Sequence, residues 1–86
     1  MLEGMSIFKK EAVKHRTLNR FDKQLANTIK RYRRENNLTQ EELSEKLGLH
    51  LNYISRLERY QNGVSLPILY KLARIFKIKV KDLFEF

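Results

Sequence analysis

The stretch from Gln40 to Arg59, QEELSEKLGLHLNYISRLER, constrains this chain more than any other. Leu43, Leu47, Leu49, Ile54 and Leu57 recur at spacings that put them on inward helix faces, and a single glycine, Gly48, interrupts the run. A glycine between two short helical patterns marks a stop, because a residue without a Cβ enters the left-handed conformation of a helix end at no steric cost. Two short helices meeting at a sharp turn are therefore expected, the second from about Leu51 to Arg59 or Tyr60. Ser44 is the small residue where the two must approach closely, and its hydroxyl can bond the carbonyl four residues back. Leu51, Asn52, Ser55, Arg56 and Arg59 are left on the outer face of the second helix, apolar at one end and polar or basic at the other.

The flanking chain supplies what this helix pair packs against. Phe21, Leu25, Ile29 and Tyr32 fall at i, i+4, i+8 and i+11, a continuous core stripe on a helix from Asn19 or Arg20 to Glu35. Asn36-Asn37 ends it, since Asn tolerates the left-handed region. Thr39 with Glu42 three residues later forms a capping box that starts the next helix. After a Gln61-Asn62-Gly63 loop, Ser65 is the expected N-cap of a fourth helix that tolerates Pro67 in its first turn. Its core face is Leu69, Leu72, Ala73 and Phe76, and Val80 to Phe84 makes a last short helix.

The chain thus reads as all-α, with one compact five-helix domain over residues 20–86. Residues 1–19 precede it as a basic arm or a short extra helix, with Ile7, Phe8, Ala12 and Val13 apolar and Lys9, Lys10, Lys14 and Arg16 basic. Ile68, Ile75, Phe84 and Phe86 exceed what so small a core needs, and such surplus apolar surface points to a dimer interface.

Composition narrows the partner. Eighteen Lys and Arg against ten Asp and Glu give a net charge of +8, which favours a polyanion, because neutralising phosphates releases condensed counterions. The absence of cysteine excludes a disulfide framework and a thiolate zinc site. No apolar run reaches the roughly 18 residues that span a bilayer, so a cytoplasmic protein without a membrane partner is expected. His15 and His50 lie far apart with no carboxylate at triad or ligand spacing, and no glycine-rich phosphate loop exists. Neither catalysis nor a metal or other cofactor is expected.

The runs TQEELSEKLGL, YISRLER and SLPILYKLARIFKIKVKDLF, in that order, resemble the helix-turn-helix domain of the phage lambda repressor and Cro (XRE-type) family over about Phe21 to Phe84. The resemblance implies a lambda-repressor-like fold and a bacterial or phage-encoded transcriptional regulator, expected to repress, bound as a homodimer to a palindromic operator in double-stranded DNA. The second helix of the pair would lie in the major groove. Leu51, Asn52, Ser55 and Arg56 would face bases, Thr39, Gln40, Arg59 and Asn62 would hold phosphates, and Arg33 would pair with Glu58 to tie the first helix to the third.

The residue types suit those roles. The Arg56 fork can donate twice to guanine, Asn52 can pair bidentately with adenine, and Leu51 can pack on a thymine methyl. Four departures stand out. Ser44 replaces the family's usual Ala, and Tyr60 stands where Gly commonly stops the third helix. His50 stands where a Ser, Thr or Asp cap is usual, so Asn52 competes for that cap. Lys77 and Lys79 replace a frequent Gly and Ser. Three alternatives remain open: an antitoxin with a toxin partner, a controller of a restriction-modification operon, and a protein-binding adaptor. RNA polymerase is a further partner the resemblance allows.

Overall fold

The computed structural model describes residues 20–86, so the expected arm or helix over residues 1–19 lies outside the described residues. Four α-helices follow in order: α1 Arg20–Glu35, α2 Gln40–Lys46, α3 Tyr53–Glu58 and α4 Leu66–Phe76. The expected fifth helix is present as a 3-10 helix, Val80–Phe84, and no strand occurs among the described residues. Leu25, Ala26 and Ile29 from α1, Leu43 and Leu47, Ile54 and Leu57, the α4 stripe Leu69, Leu72, Ala73 and Phe76, and Leu83 form one buried cluster.

Local chemistry sets the element ends. Thr39 Oγ1 accepts from Glu42 N–H at 3.0 Å, and Thr39 N–H donates to Glu42 Oε1 at 2.8 Å, which completes the capping box at the start of α2. All four α-helices stop by the same device, a left-handed residue flanked by two amide-to-carbonyl bonds that close the last turn. Those residues are Asn37 (φ 57°), Gly48 (φ 74°), Tyr60 (φ 63°) and Lys77 (φ 58°). At the end of α2, for example, Leu49 N–H reaches the Ser44 carbonyl at 3.0 Å and Gly48 N–H reaches Glu45 at 2.9 Å. A Cβ added at Gly48 would meet nothing within 4 Å, so the glycine is needed for its backbone angle and not for space.

Several expectations need correcting. Phe21 is 49 % exposed and not part of the core; it belongs to the first turn of α1, where it lines a crevice with Leu57 and Phe84, and it stacks on Phe84 with ring centroids 5.9 Å apart. α3 is shorter than expected, because Leu51 and Asn52 form a turn ahead of it, closed by Tyr53 N–H to the His50 carbonyl at 2.9 Å. Ser65 occupies the N-cap position of α4 with extended backbone, but its side chain makes no capping bond.

Candidate nucleic-acid interface

The position of α3 is fixed from its buried side. Arg33 Nε donates to Glu58 Oε2 at 2.6 Å, and Nη2 donates to Oε1 at 3.1 Å. The remaining Arg33 nitrogen, Nη1, donates to the Leu38 carbonyl at 2.7 Å. Side chains of the pair are only 10 % and 3 % exposed, so the fork-on-carboxylate geometry matters: a buried charge is tolerated only when paired and hydrogen-bonded. Gln40 Nε2 adds a third donor to Glu58 Oε1 at 2.8 Å. The expected pair therefore exists, and it ties α1, the α1–α2 turn and the start of α2 to the end of α3.

Ser44 uses its hydroxyl across the helix pair and not within α2. Its hydroxyl, fully buried, accepts the N–H of Ile54 at 3.0 Å instead of donating back to the Gln40 carbonyl. That amide belongs to the first turn of α3, where backbone donors have no partner inside their own helix. Asn52 contributes no side-chain cap. The imidazole Nδ1 of His50 accepts Asn52 N–H at 3.3 Å, so the cap that looked absent is divided between His50 on the outside and Ser44 on the inside. Tyr53 completes the seating by donating its hydroxyl to the Gly63 carbonyl at 3.1 Å. Burial pushes its phenol above the ordinary tyrosine value.

On the outer side, Leu51 (55 % exposed), Asn52, Arg56 and Arg59 all stand in solvent. Among the described residues the side chains of Asn52, Arg56 and Arg59 make no hydrogen bond or ion pair. Asn52, Arg56 and Arg59 lie four and three residues apart, one row along the helix. Ser55 is half-buried and turns its hydroxyl back to the Asn52 carbonyl at 3.0 Å.

The four residues expected at phosphates are differently placed. Thr39 is exposed with its hydroxyl in the capping box, and Gln40 is half-buried with one amide hydrogen on Glu58. Asn62 is half-buried, donates to the Gly63 carbonyl at 3.2 Å, and lines a crevice of about 200 Å³ with Phe21, Leu57, Val64 and Phe84. Arg59 alone of the four has an unengaged, exposed side chain.

A helix-turn-helix family profile matches residues 29–83, which span α1 from its middle through the 3-10 helix. The chain belongs to that family. It is 41 % identical over 58 residues to an uncharacterized HTH-type transcriptional regulator of Archaeoglobus fulgidus, covering 67 % of this chain and 82 % of the relative. The restriction-modification controller protein C.AhdI of Aeromonas hydrophila superposes with a TM-score of 0.67 at 32 % identity, over 73 % of this chain and 96 % of that one. SinR, a master regulator for biofilm formation solved in complex with DNA, superposes with a TM-score of 0.63 at 32 % identity, over 71 % and 98 %.

Within the helix-turn-helix frame, α2 and α3 are the helix pair and Gly48 its turn. Ile68 and Ile75 are half-buried against the core, Phe84 is half-buried, and Phe86 is 47 % exposed. Phe84 and Phe86 both pack on Phe21, the latter with centroids 5.4 Å apart. The most exposed apolar side chains of α4 are instead Leu66 (58 %) and Tyr70 (57 %), four residues apart. Counting residues off the core stripe could have found that pair; it was hidden because Ile68 and Ile75 are the more apolar residues by type. Among the described residues no helix is long and apolar enough to cross a membrane, and no group of three His, Cys, Asp or Glu could hold a metal.

Proposed function

We propose that this helix-turn-helix protein is a sequence-specific transcriptional regulator that reads double-stranded DNA with α3 in the major groove. The observation that carries the proposal is the outer row of α3: Asn52, Arg56 and Arg59 are exposed and unengaged, while every polar group on the inner side is bonded. Such a face has donors to spare for base edges and phosphates. Leu51 and Ser55 complete the base-facing set, with Leu51 suited to a thymine methyl and Ser55 short enough to let the helix seat. Arg59 holds a phosphate, and the α2 N-terminus offers the Gln40 backbone amide to another beside Thr39, whose own N–H is held by Glu42 Oε1. Asn62 joins them only by turning out of its crevice.

Two copies act together on a palindromic operator, most simply to repress by occupying it. The apolar surplus of Ile68, Ile75, Phe84 and Phe86 joins the two copies, and the exposure of Phe86 and of Leu66 and Tyr70 on α4 supports a contact there. A restriction-modification controller is the second reading, supported by the superposition on C.AhdI. Both readings share the DNA chemistry and require no catalytic step.

Selection of bound sequences from a random DNA pool tests the proposal. A two-fold symmetric consensus with half-sites about one helical turn, ~34 Å, apart is expected of a dimer. Failure to retain any duplex at low salt, where phosphate attraction is strongest, would sink it.

A further inference from the structure

Tyr60 follows α3 in a left-handed conformation, φ 63°, that a glycine would adopt without strain. For an aromatic residue this angle is disfavoured and persists only where the surroundings hold it. The two backbone bonds that close the last turn of α3 hold it, and Tyr60 adds two side-chain contacts, both to α1. The Tyr60 hydroxyl donates to Asn27 Oδ1 at 2.8 Å, and the Lys23 ammonium lies over the ring, 5.6 Å from its centroid. Asn27 and Lys23 are one turn apart on α1, so the two contacts form a single bracket from α1 to the C-terminal end of α3. All three residues are exposed, which leaves the bracket little to contribute to the core.

The bracket has an electrostatic consequence. A helix C-terminus carries the negative end of the peptide dipoles and repels phosphate. Arg59 sits at that end, and Tyr60 is its neighbour in the chain. Holding Lys23 over Tyr60 brings a second cation, from a different helix, to the residue that follows Arg59 in the chain.

We propose that Lys23 and Arg59 grip one stretch of DNA backbone together at the C-terminal end of α3, with Tyr60 and Asn27 as the positioning residues. The inference rests on the DNA-binding reading above and adds a phosphate contact from α1. A contact of this kind carries no sequence information, so it strengthens binding to every duplex alike.

Mobility shifts of the full chain on its selected operator and on a random duplex, across a salt series, test this. Lys23→Gln should lower the slope of log K against log salt by about one unit, equally on both duplexes, with thermal unfolding unchanged. Tyr60→Gly, free of backbone strain, should stay folded and lose the same increment of slope. Tyr60→Phe, which keeps the ring and removes only the bond to Asn27, should fall between it and the parent. The clamp is overturned if Lys23→Gln superimposes on the parent at every salt while Arg59→Ala lowers the slope. A parent chain that binds neither duplex overturns the clamp and the DNA-binding reading together.

Discussion

On the inner side of α3 each polar group has its partner, and on the outer side the long polar side chains have none among the described residues. Glu58 receives three donors and Ile54 N–H has the Ser44 hydroxyl, both in places water does not reach. Arg56 and Arg59, on the same six-residue helix and its cap, meet only solvent among the described residues. A six-residue helix is too short to hold its own shape in water. Its inner bonds therefore decide where the outer row points, without themselves reaching a ligand. Substitutions should divide accordingly: inner ones lower stability, and outer ones lower affinity with stability intact.

Glu58→Ala tests that division hardest. It leaves the Arg33 guanidinium buried without its counter-charge, and the loss should be about 3 kcal/mol by urea unfolding. Replacing both partners, Arg33→Met with Glu58→Leu, should recover most of it, since the penalty is the orphaned charge more than the missing attraction. A loss for Glu58→Ala no greater than that of a surface residue would remove the inner side's claim.

Arg56→Ala is the outer counterpart. It should cost about 1–3 kcal/mol of operator affinity, relax one operator position, and leave the unfolding curve where it was. Equal losses on operator and random duplex would reassign Arg56 from bases to backbone.

The same division explains what could be read from the sequence. The capping box at Thr39 and Glu42, the left-handed ends at Asn37 and Gly48, and the α4 stripe each depend on residues within one or two helical turns, where spacing determines contact. The Arg33–Glu58 pair spans 25 residues, and it was visible only through resemblance. The partner of Ser44 lies ten residues on in another helix: type and spacing allow the local carbonyl, and only the packing of α2 on α3 gives the hydroxyl its acceptor role. Phe21 kept the period of the core stripe but sits past the end of the core, and periodicity reports a face, not how far along it burial extends. Likewise, Gln40 had the right location at a helix start, while the presence of Glu58 beside it could not be seen in one dimension.

Ser44→Ala asks how much the buried half of the divided cap is worth. Alanine fits the space, so the change removes an acceptor and leaves Ile54 N–H unpaired where exposure is zero. A loss of about 1–2 kcal/mol is expected, and for a domain of this size each kcal/mol lowers the thermal midpoint by about 4–8 °C. No change in midpoint would mean that the amide finds another partner and that α3 does not depend on Ser44.

His50→Ala should give the smallest effect, because His50 is the same kind of acceptor in the opposite surroundings. Its Nδ1 takes Asn52 N–H at 3.3 Å on an exposed turn, where water replaces a lost acceptor at little cost. A few tenths of a kcal/mol is expected, toward the low end for loss of a helix cap. His50→Ser, which supplies a shorter and better-placed oxygen, should match or slightly exceed the parent's thermal midpoint. The informative quantity is the ratio of the two alanine effects. If His50→Ala costs as much as Ser44→Ala, burial does not separate the two halves of the cap, and the outer turn carrying Leu51 and Asn52 helps to fix α3 instead of only displaying side chains.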